Sequence, residues 1–163
     1  MKTFKQFIHE SSLSRVVSKS KKGGTAILSG SRADKSPKEN KARAKQLDKD
    51  IRGKGLGGAT KATGRYTEKD DKTGKETKVK ERSHIVSSGK KGKRKFKKAV
   101  KALGKKYGQD AVLTQTKKTG TVSATRKGGL GKSKRIKAGT FKPGRSSSEG
   151  DTKIKGKTFT YDK

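Results

Sequence analysis

The stretch Ser36-Pro37-Lys38-Glu39-Asn40-Lys41-Ala42-Arg43-Ala44-Lys45-Gln46-Leu47-Asp48-Lys49-Asp50-Ile51-Arg52-Gly53 carries the clearest local signal in the chain. A serine that can cap, a proline suited to the first helical position and a glutamate three residues after the cap make a capping box. The pattern predicts a helix to Arg52 with Ala44, Leu47 and Ile51 inward, stopped by Gly53 and Gly55. On its N-terminal side, Thr25 to Ser29 is a short apolar run ended by Gly30, which reads as a buried strand. On its C-terminal side, Ala59–Glu68 and Val79–Ser87 read as two strands joined across the polar loop Glu68–Lys78, where Gly74 supplies the turn. A second helix is predicted from about Lys93 to Lys106, with Phe96, Ala99, Val100 and Leu103 on its apolar face. Tyr107 lies just beyond it and Gly108 ends it. Ala111-Val112-Leu113 and Thr121-Val122-Ser123 read as a hairpin.

The expected order is therefore β-α-β-β-α-β-β, a small α+β layer of one sheet and two helices over residues 25–126. Both flanks are expected to be flexible and basic. Residues 11–24 read as a basic linker. Residues 127–163 read as a Gly/Lys/Ser-rich tail, partly ordered at most, with apolar residues only at isolated points such as Ile136, Phe141, Ile154, Phe159 and Tyr161. Leu, Ile, Val and Phe together make 25 of 163 residues, about 15%. That lies below the roughly 20% at which highly charged chains tend to disorder. A small core with loose ends follows.

Charge dominates the chemistry. Lys+Arg number 47 against 14 Asp+Glu, a formal net charge of +33. Such a density opposes compaction unless a counter-charge is at hand, and DNA or RNA supplies one through counterion release. An anionic membrane fits less well, because the chain has no Trp, no Cys to lipidate, no glycine at position 2 and no run of about 18 apolar residues. The absence of cysteine also removes disulfides, thiolate metal sites and cysteine nucleophiles. The predicted nucleic-acid surface is Lys90, Lys91, Lys93, Arg94, Lys95, Lys97, Lys98, Lys101, Lys105 and Lys106 around the second helix. Lys117, Lys118, Arg126, Lys127, Lys132, Lys134, Arg135 and Lys137 extend it along loops. Lysines act as point charges on phosphate, so backbone neutralisation is expected instead of sequence readout.

The first ten residues, Met1-Lys2-Thr3-Phe4-Lys5-Gln6-Phe7-Ile8-His9-Glu10, stand apart. Phe4, Phe7 and Ile8 would share one face of a helix too short to persist alone. This opening resembles the capsid-targeting peptide of internal head proteins of large contractile-tailed bacteriophages. The resemblance implies removal by the prohead protease after Glu10, with Ile8 two residues before the cut and Ser11 as the new N-terminus. It also implies residence inside the phage head beside DNA, with residues 1–10 meeting the prohead core and protease.

Other motifs read more plainly. Gly128-Gly129-Leu130-Gly131-Lys132-Ser133 ends like a phosphate-binding loop, but Arg126 stands where the first glycine is needed. It is expected to be a flexible basic loop. Gly53–Gly58 follows a helix and is a stop, not a dinucleotide fingerprint. Asp70, Asp71, Glu76 and Lys78 could hold a divalent metal beside DNA, yet they fall in a hairpin loop where solvated charge is ordinary. In Glu81-Arg82-Ser83-His84, strand alternation sends Ser83 and His84 to opposite faces, so His84 is expected to be structural. The expectation is a DNA-neutralising virion protein without enzymatic activity, metal or cofactor; the runner-up is a packaged, host-directed effector such as a nuclease or enzyme inhibitor, and the third reading an RNA- or ribosome-associated basic protein.

Overall fold

The Ser36 capping box forms as the sequence predicts. In the computed structural model, the Ser36 hydroxyl accepts from the Glu39 amide at 3.2 Å, and the Glu39 carboxylate accepts from the Ser36 amide at 2.8 Å. The structure describes residues 12–69, 72–117, 119–145, 150–155 and 157–162. These form three helices, α1 (Ser12–Lys22), α2 (Pro37–Gly53) and α3 (Lys93–Lys106). They also form nine strands: β1 (Thr25–Ser29), β2 (Gly57–Lys69), β3 (Glu76–Ser87), β4 (Ala111–Thr116), β5 (Thr119–Ala124), β6 (Gly129–Lys132), β7 (Arg135–Pro143), β8 (Gly150–Ile154) and β9 (Lys157–Asp162).

The α+β class holds, but the single open sheet does not. Eight strands close into a barrel in the order β1-β3-β2-β8-β9-β7-β5-β4, every neighbouring pair antiparallel. The residues expected to be a loose tail supply three of its staves, β7, β8 and β9. The segment expected to be a basic linker is largely the helix α1. The physical reason lies in the alternation of strand side chains. Phe141, Ile154 and Phe159 are buried, while the lysines between them point outward, so each strand shows only one or two apolar residues among basic ones. That pattern looks like a solvated tail until the ring closes around the apolar side.

Two cores result. The outer one joins Ala26, Leu28 and Val86 on β1 and β3 to Leu47 and Ile51 of α2 and to Phe96, Val100 and Leu103 of α3. The inner one fills the barrel with Ala62, Ile85, Phe141, Ile154 and Phe159, and Val16 of α1 packs into it. Phe141, Phe159 and Tyr161 pack at tilted and edge angles, with ring centroids 5.0–6.2 Å apart. The Tyr161 hydroxyl donates to the Gln115 carboxamide across the interior at 2.7 Å. Burying a side chain such as Phe159 stabilises by roughly 1.5–3 kcal/mol. Gly120 is required here: a Cβ at that position would stand 2.7 Å from the Tyr161 ring.

The β2–β3 hairpin is longer than its neighbours. β1 pairs with β3 only over Ser83–Ser87, and β8 pairs with β2 over Thr63–Tyr66. The rest of the hairpin extends past the barrel end as a two-stranded arm.

Candidate active site

β1, α3 and β5 all finish at the same end of the barrel, so the segments Ser31–Asp34 and Gly108–Ala111 converge there with Arg126. The β2–β3 arm leans over them and contributes Tyr66 and Glu81. Gly64 pairs with Glu81 and Tyr66 with Val79, so Tyr66 and Glu81 are diagonal neighbours on one face of the hairpin. The Tyr66 hydroxyl donates to Glu81 Oε2 at 3.0 Å, and both side chains are half-buried. Together these residues line a cleft of about 760 Å3.

The loop beneath is tied down. Arg32 Nε donates to Asp34 Oδ1 at 2.8 Å and its Nη1 to the Gly108 carbonyl at 2.9 Å. The Arg32 amide donates to the Asn40 carboxamide at 2.9 Å, and Asn40 returns a bond to the Arg32 carbonyl at 3.0 Å. The loop is thus anchored to the first turns of α2. Hydrogen bonding to Arg32 holds the Asp34 carboxyl below the usual carboxylate range. On the far side Arg126 Nε donates to Asp110 at 2.7 Å.

The charge balance of this cleft departs from that of the chain. Three carboxylates (Asp34, Glu81, Asp110) face two guanidiniums (Arg32, Arg126), a net of −1 on a chain of net +33. Asp34 and Asp110 are each paired with an arginine, whereas Glu81 is met by a phenol hydroxyl. Glu81 has no cationic partner among the described residues, and the Tyr66 ring beside it is a surface on which a cation can rest.

The sequence-predicted residues fall elsewhere. The α3 lysines are spread along the solvent side of that helix, opposite Phe96, Val100 and Leu103. Lys97 and Lys101 meet Lys134 and Arg135 in a second cleft, while Lys106 is paired with Asp50 at 2.8 Å. Lys90, Lys91, Lys117, Lys127, Lys132 and Lys137 are dispersed and belong to none of these clefts. Arg126 alone of the predicted set reaches the acidic cleft. Ile8, Glu10, Ser11, Asp70, Asp71 and Lys118 lie outside the described residues. Glu76 and Lys78 are exposed on the arm. Gly128–Ser133 forms a tight turn and β6 with no helix after it, unlike a phosphate-binding loop. Among the described residues no group of three His, Asp or Glu is placed to hold a metal.

Sequence reading weighed Glu81 only together with His84 and passed over Tyr66, Arg32, Asp34 and Asp110. The usable signal was scarcity: with so few acids on a basic chain, those at the ends of elements merit inspection first.

His84 and Ser83 do point to opposite faces. His84 is buried, at 4% exposure, under α2 on the outside of the barrel. Burial pushes its imidazole below the ordinary histidine range; Asp48 opposes that shift and Lys61 adds to it.

No curated protein matches the chain. A family model, described as the S-adenosylmethionine lyase family, matches residues 26–163, which take in the barrel from the second residue of β1 onward and the acidic cleft. Residues 1–25, α1 included, precede the match. This finding overturns the expectation of a non-enzymatic DNA-neutralising head protein. The family is an enzyme family, and nothing in the match concerns virions or DNA. Net charge reports the average surface, whereas catalysis needs only a few side chains whose local charge can run against that average. Over 138 of its 163 residues, the chain belongs to the S-adenosylmethionine lyase family.

Proposed function

We propose that the chain cleaves a carbon–sulfur bond of S-adenosylmethionine in the cleft of Tyr66 and Glu81. The family description supports the substrate, and the local charge supports the place. S-adenosylmethionine carries a sulfonium, an ammonium and one carboxylate, a net of one positive charge. A chain of +33 repels such a molecule nearly everywhere. The cleft with an excess of acid is where it finds attraction.

The chemistry asks little of the protein in proton transfer. When the bond breaks, its electron pair stays on sulfur and yields a neutral thioether. The carbon left electron-poor is satisfied from within the substrate, most economically by the substrate's own carboxylate closing a ring. That step breaks one C–S bond, forms one C–O bond and moves no proton. The protein's share is to fold the substrate into the attacking shape and keep water away. Glu81 is suited to hold the ammonium, leaving the substrate carboxylate free as the nucleophile. Tyr66 orients Glu81 and offers its ring to the cation.

The observation that carries this reading is the 3.0 Å Tyr66–Glu81 bond in an acid-rich cleft. The test is turnover of S-adenosylmethionine in 18O-labelled water with products read by mass spectrometry. Unlabelled thioether and a ring-closed amino-acid product are expected. Label in the amino-acid fragment at the moment of cleavage would mean hydrolysis and would sink the proposal.

A further inference from the structure

The outer face of the same hairpin carries a second cavity. α2 lies over β2, β3 and β8 there, and the space between them measures about 390 Å3. Strand alternation turns Lys61 of β2, Arg82 of β3 and Lys153 of β8 outward into it, and Lys41 and Lys45 descend from α2. With Lys155 these make six cations against one carboxylate, Asp48, a net of +5. None of the six forms an ion pair among the described residues, whereas Asp48 is already bonded to Arg52 at 2.7 Å. At the floor sits His84, whose buried Nδ1 has no hydrogen-bond partner. Native proteins seldom leave a buried polar atom unsatisfied, and such an atom calls for an explanation.

We propose that this cavity binds a small ligand bearing a chain of phosphates, held by the surrounding lysines and Arg82 above His84. Lysine ammonium groups suit phosphate oxygens as point charges, and the His84 ring in the cavity wall reports on what sits against it. The volume lies within the roughly 300–1,000 Å3 typical of small-ligand pockets. Net +5 matches a ligand of three or four negative charges better than a single carboxylate or sulfate. Ala44 on the α2 side leaves room for an uncharged part of the ligand. The site is separate from the lyase cleft: His84 and Arg82 point outward, Glu81 and Tyr66 to the opposite face.

The full chain is titrated with inorganic tripolyphosphate by calorimetry, while the imidazole signals are followed by 1H–15N NMR. The chain has only His9 and His84, so a His9→Asn variant leaves one ring to watch. Saturable movement of the His84 signal at one ligand per chain is expected. The Lys61→Ala/Lys153→Ala variant, which changes only surface groups, should weaken binding at least tenfold, and His84→Gln about tenfold. Lys97→Ala/Lys101→Ala removes the same charge from the other basic cleft and should change affinity less than twofold. ATP binding more tightly than tripolyphosphate would identify a nucleotide ligand, and equal affinity the phosphate chain alone; either supports the site. A stationary His84 signal, or equal losses in the two double variants, would overturn it by showing diffuse charge attraction. A short DNA duplex moving His84 with the same variant dependence would overturn it too, since the cavity would then be part of a backbone-binding surface. Cleavage of S-adenosylmethionine should be unchanged in Lys61→Ala/Lys153→Ala, which keeps this result independent of the lyase reading.

Discussion

The two faces of the β2–β3 hairpin hold opposite electrostatics a strand's thickness apart. Inward, at the barrel end, Tyr66 and Glu81 share a cleft of net −1. Outward, Lys61, Arg82 and His84 share a cavity of net +5 beneath α2. In sequence these residues are interleaved, and Glu81-Arg82 are consecutive. The period of two in a strand is all that separates them. A composition average over such a segment describes neither face, which is how a basic chain can hold a cleft with an excess of acid.

The separation depends first on the barrel interior, which holds the hairpin's inner face in place. Phe159→Ala should remove about 3–5 kcal/mol of stability, the usual loss for a large aromatic buried in a core. Chemical denaturation followed by circular dichroism measures it. A loss below about 1 kcal/mol would mean that β9 is not part of the cooperative core.

Glu81→Gln tests the inner face itself. It keeps the shape and removes the charge, and we expect cleavage of S-adenosylmethionine to fall about 100-fold, in the range found for removing one charge-stabilising group. Thermal stability should change little. If turnover survived while the outer-face lysines proved essential, the assignment of the two faces would be reversed.

Ser36→Ala loosens the roof of the outer cavity, because the capping box sets where α2 begins. A loss of about 1 kcal/mol is expected, read from the urea midpoint at constant slope.

The smallest effect is a pH dependence. His84 has its pKa lowered by burial, so the unfolded chain takes up a proton more readily than the folded one. Its contribution to stability is present above the unfolded value of about 6.5 and is lost as pH falls through that value toward the lowered folded one. The melting temperature should therefore decline from about pH 7 to pH 5, and His84→Gln should flatten that slope. A slope unaltered by His84→Gln would mean that the ring meets solvent in the folded state.

Much of the local structure was legible. Ser36, Pro37 and Glu39 announce α2, and Phe96, Val100 and Leu103 announce α3, because caps and helical periodicity act over neighbouring residues. The β2–β3 hairpin and the β4–β5 pair were found for the same reason. The closure of the barrel was not. Thr63 meets Lys153 and Phe141 meets Tyr161 through pairings that no nearby residue encodes. The site followed suit: Glu81 was noticed for its neighbours in sequence, while its working neighbours Tyr66, Arg32 and Asp110 arrive from three other segments.

The amino-acid sequence by itself determined α2, α3, the two hairpins β2–β3 and β4–β5 and the large excess of positive charge, since each depends on short-range backbone preference or simple counting. Tertiary structure alone decided which of the scattered apolar residues after Arg126 share an interior, and which few acids gather against the prevailing charge. Both are outcomes of long-range strand pairing, in which alternate side chains of one segment are sent to opposite environments by partners far away in the chain.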